Sequence, residues 1–278
     1  MSRIEESIAK ALKMRNGTTP PPARPEVEPA EDRRRKTFAP QTTPLQVRSE
    51  LIVMAQQPHS PIAEEYRKLK EAIIKQTRRD NEFRNTIMVT SALAGEGKTL
   101  TAINLAMSLA QEYDNTVLLV DGDLRRPSIG GHFDLDVKTG LAQCLTGEAD
   151  IGDVLVRTGH GKLAVLPSGP PSYNALELFS SRWMADLVLE LKHRYDDRYI
   201  IFDTPPVLPF AEARLLSKLV DSVLLVVREG VPTPDHIADT LQALGGATIL
   251  GAVYNDSKTA PAESYGYAYG KSAKESRV

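Results

Sequence analysis

The sequence has a single cysteine, Cys144, in 278 residues. A disulfide framework is therefore excluded, and a reducing compartment fits. Cys144 itself reads as a small buried hydrophobe. Long apolar runs are missing. No run approaches the roughly 18 residues that a membrane span needs, and the strongest, "TVLLV" and "SVLLVV", are strand-sized. The N-terminus, "MSRIEESIAKALKMRN", carries Glu5 and Glu6 and lacks an apolar centre, so it is not a secretory signal. Excess positive charge is missing too. A net charge of −2 leaves no bulk footprint for nucleic acid. A soluble, cytoplasmic chain is expected, with any attachment to the inner membrane made through a partner.

What is present is a 41% hydrophobic chain, enough for one sizeable core with tails. Residues 1–15 carry Ile4, Ile8 and Leu12 on one helical face. This makes a short amphipathic helix that is too short to stand alone. Residues 16–50 are rich in proline and poor in large apolar side chains. They cannot bury enough surface to offset their ordering entropy and read as a flexible linker. The "RRRK" run at 33–36 is either a solvated stretch or a contact for anionic lipid or a partner. Order is expected to resume near Leu51. Ser60-Pro61 reads as N-cap and first helical position, followed by Glu64 and Glu65 in the first turn. That helix runs to about Arg78.

From Thr86 to Asn255, short apolar strands alternate with helical stretches. The strands are "TIMVT", "TVLLVD", "LAVLP", "YIIFD", "SVLLVV" and "TILGAVY". The helices are expected at 98–112, 139–146, 175–194, 210–218 and 234–244. Strands that are apolar on both faces belong to a sheet covered on both sides, hence a mostly parallel α/β domain spanning 51–255. Loops that follow the strands then share one edge, where ligands bind.

Three elements fall on that edge. The first is "SALAGEGKTLTAINLA", a strand end, a glycine-bearing loop, Lys-Thr and a helix. Gly95, Glu96, Gly97, Lys98, Thr99 and Leu100 are placed to surround a phosphate chain. The glycines let backbone N–H groups turn inward. Lys98 supplies charge to the β/γ-phosphates, and the Thr99 hydroxyl can hold Mg²⁺. The pattern G-x-x-x-x-G-K-[ST] is met except at its first place, where Ala92 stands. The second element, "TVLLVDGDLRRPS", puts Asp121 and Asp123 at a strand end, followed by Arg125 and Arg126. The third, "YIIFDTPPVL", ends a buried strand in Asp203, a position that is costly without a compensating cation.

Together, in this order, the three elements resemble the bacterial tyrosine kinases, or BY-kinases. The likeness is to the stand-alone cytoplasmic kinases of capsule and exopolysaccharide synthesis, with the exosortase-associated tyrosine autokinases a close subgroup. "LLVDGDLR", "IIFDTPP" and "SALAGEGKT" match the family's three patterns. The resemblance implies a P-loop NTPase fold of MinD/ParA-like topology, with ATP and Mg²⁺ as substrate and cofactor. It implies Asp121 as the base that takes the tyrosine proton, and Asp123 and Asp203 with Thr99 around the metal. Lys98 and Arg125 then act on the transferring charge, although an interface role for Arg125 and Arg126 is equally open. In the family, a helix with E-x-x-R-x-x-R builds a ring; here Glu64, Arg67 and Lys70 occupy those places. Tyr265, Tyr267 and Tyr269, three of nine tyrosines, lie in the small, polar 256–278 segment and correspond to the autophosphorylated tail. The family's activating partner is a transmembrane polysaccharide co-polymerase, or chain-length determinant. Two other readings remain: an ATPase switch of the MinD/ParA type, and a nucleotide-binding scaffold for polysaccharide export. The switch proteins carry a lysine where this chain has Leu93.

Overall fold

The computed structural model of the protein describes residues 44–79 and 82–258. The expected helix over 1–15, the linker up to residue 43 and the tail tyrosines lie outside the described residues.

In chain order the elements are α1 (Val53–Gln56), α2 (Pro61–Thr77), β1 (Arg78–Arg79), β2 (Glu82–Phe83), β3 (Thr86–Ser91), α3 (Lys98–Ala110) and β4 (Thr116–Asp121). Then come α4 (Ile129–His132), α5 (Leu141–Thr146), α6 (Ile151–Val154), β5 (Val156–Arg157), β6 (Leu163–Leu166), α7 (Ala175–Ser180) and α8 (Arg182–Arg194). The series closes with β7 (Arg198–Asp203), α9 (Glu212–Leu216), β8 (Ser222–Arg228), α10 (Pro234–Ala243) and β9 (Ile249–Asn255).

Seven strands form one sheet in the order β5-β6-β4-β7-β3-β8-β9. All pairs are parallel except the short edge strand β5, which runs antiparallel to β6. The expected mostly parallel, helix-flanked sheet is what forms. Its central strands alternate between two apolar layers. Ile87, Val89, Val117, Leu119, Tyr199 and Ile201 join one layer. Met88, Leu118, Val120, Ile200 and Phe202 join the other. Neighbouring side chains on a strand face opposite ways, so a strand buried on both sides must be apolar throughout. Strand β7 lies between β3 and β4, and its register sets Asp203 beside Asp121 on β4 and beside Val89 on β3. The P-loop leaves the end of β3, so all three motifs meet at one place.

Two expectations are corrected. The linker expected over 16–50 ends earlier, because residues 44–50 pack on the domain. The Leu45 amide donates to the Thr158 carbonyl at 2.7 Å, and Gln56 Nε2 donates to the Val47 carbonyl at 2.6 Å. Val47 is buried in the core, and Arg48 pairs with Asp134. The apolar positions Leu45, Val47, Ile52, Val53 and Met54 supply the surface that the preceding proline-rich stretch lacks. The single helix expected over 175–194 is two helices. Ser181 is extended (φ −72°, ψ 154°) and its hydroxyl accepts from the Met184 amide at 3.3 Å, capping α8. The Ser60 cap forms as expected, its hydroxyl accepting from Ala63 N at 3.1 Å.

Asn104 fastens the N-terminal segment to α3. It is fully buried. Its Oδ1 accepts from Met54 N at 3.1 Å, and its Nδ2 donates to the carbonyls of Leu51 at 3.0 Å and Leu100 at 2.9 Å. Asn104→Ala strands the Met54 amide and the Leu51 carbonyl and is expected to destabilise the domain by roughly 2–4 kcal/mol. Chemical denaturation measures this, and a loss under about 1 kcal/mol would contradict it.

Candidate functional site

The loop between β3 and α3 turns on two glycines in the left-handed region, Gly95 (φ 81°) and Gly97 (φ 88°). Such a conformation suits glycine and exposes successive amides on one side. Gly97 has a second constraint. A Cβ there would meet Asn255 Nδ2 at 2.1 Å. It is also the N-cap of α3, whose first amides have no side-chain cap. Lys98, Thr99 and Leu100 form the first turn of that helix. The helix end thus offers partial positive charge and free donors, the usual anion cradle.

Glu96 lies within this loop. Its side chain is fully buried and turns back into the domain. Oε1 accepts from Leu93 N at 2.6 Å and Oε2 from Arg228 N at 3.1 Å. Only its backbone is left to face a ligand; its carboxylate braces the loop.

The acidic residues converge as their register requires. Thr99 Oγ1 donates to Asp203 Oδ2 at 2.6 Å. Lys98 Nζ stands 3.6 Å from Asp123 Oδ2. Asp121 Oδ2 accepts from the amides of Ser128 at 3.1 Å and Ile129 at 3.0 Å, and its Oδ1 from Asp123 N at 3.3 Å. Asp123 Oδ1 accepts from Arg126 N at 3.0 Å. Burial, together with the negative charge of Asp203, pushes Asp121 up to about 7, against the pull of the two amides. Burial also pushes Asp203 up to about 6, although Lys98 and the Thr99 hydroxyl favour its charged form.

Asp203 Oδ1 is buried and has no hydrogen-bond partner. This oxygen beside the Thr99 hydroxyl is a fit for a magnesium ion, which favours one or two carboxylates together with substrate phosphates. No group of three or more His, Cys, Asp or Glu side chains suited to a metal occurs among the described residues. Thr99 and Asp203 would therefore share such an ion with phosphate oxygens.

Arg125 is held by partners far along the chain. Its Nε lies 2.6 Å from Oε1 of the buried Glu212, and its guanidinium sits 5.3 Å over the Phe210 ring. Neither Glu212 nor Phe210 stood out in the sequence, because a partner so distant along the chain leaves no local signature. Beside Asp121 lies a cavity of about 240 Å³, lined by Gly130, Gly131, Leu135, Val137, Pro167 and Ser168. Glu64, Arg67 and Lys70 lie on α2 and border a separate cleft of about 370 Å³. Arg67 Nη1 pairs with Glu64 at 2.8 Å and its Nη2 meets the Pro58 carbonyl, while Lys70 pairs with Glu112.

Residues 84–233 match the family described as "AAA domain". The tyrosine-protein kinase YwqD of Bacillus subtilis is 36% identical over 218 residues, covering 78% of this chain and 90% of that protein. The succinoglycan biosynthesis transport protein ExoP of Rhizobium meliloti is 32% identical over 244 residues, covering 83% of this chain but 30% of the longer protein. The solved kinase domain of the Escherichia coli tyrosine kinase Etk superposes with a TM-score of 0.69 at 29% identity, covering 85% of this chain and 90% of that one.

The buried Asp203 makes the stability of the ligand-free protein sensitive to pH. Unfolded, its carboxyl releases the proton near 3.8; folded, near 6. Between these values the native state holds more protons than the unfolded one, so stability falls as pH rises through that window. A displacement of this size corresponds to roughly 3 kcal/mol. Asp203→Asn is therefore expected to raise the thermal midpoint of the ligand-free protein at about pH 8 and to change it little at about pH 4. A difference that is the same at both pH values would show that Asp203 carries no such charge penalty.

Proposed function

This chain belongs to the bacterial tyrosine kinases, the BY-kinases, and on that premise we propose that it phosphorylates its own C-terminal tyrosines, using ATP and Mg²⁺, in polysaccharide synthesis and export. One observation carries the reading. Lys98, Thr99, Asp121, Asp123 and Asp203 gather at one end of the sheet, with a buried carboxylate oxygen left unpaired.

In this proposal the loop amides from Gly95 to Leu100 and the Lys98 ammonium bind the triphosphate of ATP. Thr99 and Asp203 would hold the metal, with Asp123 assisting beside Lys98. When bound, the magnesium ion neutralises charge on the β- and γ-phosphates. The acceptor phenol approaches the γ-phosphorus. Its Oη–P bond forms as the bond from the γ-phosphorus to the β,γ-bridging oxygen breaks, and the phenolic proton passes to Asp121. An ordinary carboxylate is a weak base for a phenol of pKa near 10. The upward displacement of Asp121 narrows that gap. Positioning and charge neutralisation supply most of the rate in such a loose transfer. Arg125 serves by bracing: bound to Glu212, it ties the loop after β4 to α9.

Tyr265, Tyr267 and Tyr269 are the proposed acceptors. Each phosphate adds close to two negative charges, so several phosphorylated tails repel one another. The tail of one subunit would enter the site of its neighbour in a ring built through Glu64, Arg67 and Lys70 on α2. A transmembrane polysaccharide co-polymerase is the proposed activator and the route to the inner membrane. The name of the similar ExoP, a biosynthesis transport protein, supports that partner.

Purified protein incubated with labelled ATP and Mg²⁺ is expected to carry label in the tail. Lys98→Met should abolish it, and replacing Tyr265, Tyr267 and Tyr269 with Phe should remove most of it. Phosphate release from unlabelled protein would favour an ATPase switch, and nucleotide binding with neither product a scaffold. Dominant labelling of the exposed Tyr113 or Tyr173 would overturn the tail assignment. Asp121→Asn is expected to keep ATP affinity and lose labelling by about 100-fold or more. Retained labelling would refute Asp121 as the base. Arg67→Ala should lower the mass of any assembly seen by light scattering; an unchanged mass would argue against the α2 interface.

A further inference from the structure

The ends of the last two strands on one side of the sheet, β8 and β9, grip the phosphate loop by its backbone. Arg228, the last residue of β8, reaches the Gly95 carbonyl with Nη1 at 3.2 Å. Asn255, the last residue of β9, donates from Nδ2 to the Glu96 carbonyl at 2.8 Å. Two consecutive carbonyls of the loop are thus held on one side.

Peptide geometry gives this a consequence for the opposite side. No cis peptide bonds occur among the described residues. In a trans peptide the C=O and the following N–H point in opposite directions. Fixing the Gly95 carbonyl therefore aims the Glu96 N–H away from Arg228. Fixing the Glu96 carbonyl aims the Gly97 N–H away from Asn255. Neither amide donates to a protein acceptor among the described residues. Two free donors, side by side, are left facing outward immediately before Lys98.

The grip is itself well supported. Arg228 Nε and Nη2 are held by Asp256 Oδ2 at 2.9 and 2.7 Å. The Arg228 amide donates to Glu96 Oε2 at 3.1 Å, so the same residue holds the loop by backbone and by side chain. Asn255 fills the space that any side chain at position 97 would need. Arg228 and Asn255 are also register partners in the β8–β9 ladder. The common result of these contacts is the direction of two amides.

We propose that Arg228 and Asn255 are positioning residues of the phosphate site, holding the Gly95 and Glu96 carbonyls back so that the Glu96 and Gly97 amides meet the triphosphate. This rests on the reading that the loop binds a triphosphate. A contact to the nucleotide base would be a different role for Asn255, and the choice of ligand separates the two. Inorganic tripolyphosphate has the phosphate chain and no base.

The test measures binding of Mg²⁺-ATP and of Mg²⁺-tripolyphosphate by calorimetry to the full chain and to Asn255→Asp, Asn255→Ala and Arg228→Gln. Asn255→Asp keeps the size of the side chain and removes the donor, which guards against a mere packing defect. The expected result is a loss of about tenfold in affinity for both ligands by the same factor, on the scale of a lost hydrogen bond. The KM for ATP should rise in step while thermal midpoints stay near that of the parent chain. Tripolyphosphate affinity retained in the variants, whether or not ATP affinity falls, would overturn the proposal. So would losses that merely track a fall in folded protein. A parent chain that binds neither ligand would sink the phosphate-site reading and this inference with it, whereas normal parent binding with unaffected variants would sink this inference alone.

Discussion

The negative charge of Asp203, at the end of a strand buried on both faces, is the constraint from which the rest of the site follows. Its strand lies between the strand that delivers the phosphate loop and the strand that delivers Asp121. That order leaves two carboxylates side by side in a place with little water. The domain meets part of the demand internally, through the Thr99 hydroxyl and the nearby Lys98. It leaves one oxygen unmet. An arrangement optimised only for stability would have no reason to keep it, because an unpaired buried charge is among the more costly features a fold can carry.

The same balance explains why the surrounding parts are rigid. Asp121 is held by three backbone amides, Arg125 by Glu212, Glu96 by two amides, and the carbonyls of the loop by Arg228 and Asn255. Each contact fixes a group that would otherwise relax to neutralise or solvate the charge. A site that must receive a highly charged substrate benefits from donors and acceptors already set in place, since little reorganisation is then left for the moment of reaction.

Much of this was legible in the sequence, for a physical reason. Strands covered on both sides have to be apolar at every position, so "TVLLVD" and "YIIFD" announced both the strands and the carboxylates that end them. Glycines at 95 and 97 were legible because the left-handed backbone there tolerates little else. The strand order was not legible, and it is the strand order that brings Asp121 against Asp203. Contacts between residues far apart in the chain were also hidden. Glu212 under Arg125, and Asn255 under Gly97, are ordinary polar residues in their local context. Glu96 shows the limit from the other direction: it lies inside the motif, yet its carboxylate faces the domain. The break at Ser181 was readable in principle, since a serine before a run of helix formers is a cap signal.

Stability and ligand binding are therefore opposed at Asp203 and coupled through it. Raising the pH charges the carboxylate and weakens the empty domain, while the same charge improves the site for a cation. A ligand that binds only the folded form stabilises it in proportion to the logarithm of its concentration over its dissociation constant. On the proposed function, the penalty at Asp203 is largest in the ligand-free protein and would be relieved by a cation arriving with the phosphates. The local stability of the loop beside Asp203 would then depend on occupancy. Its backbone is held from β8 and β9, and β9 leads directly into the segment that carries Tyr265, Tyr267 and Tyr269.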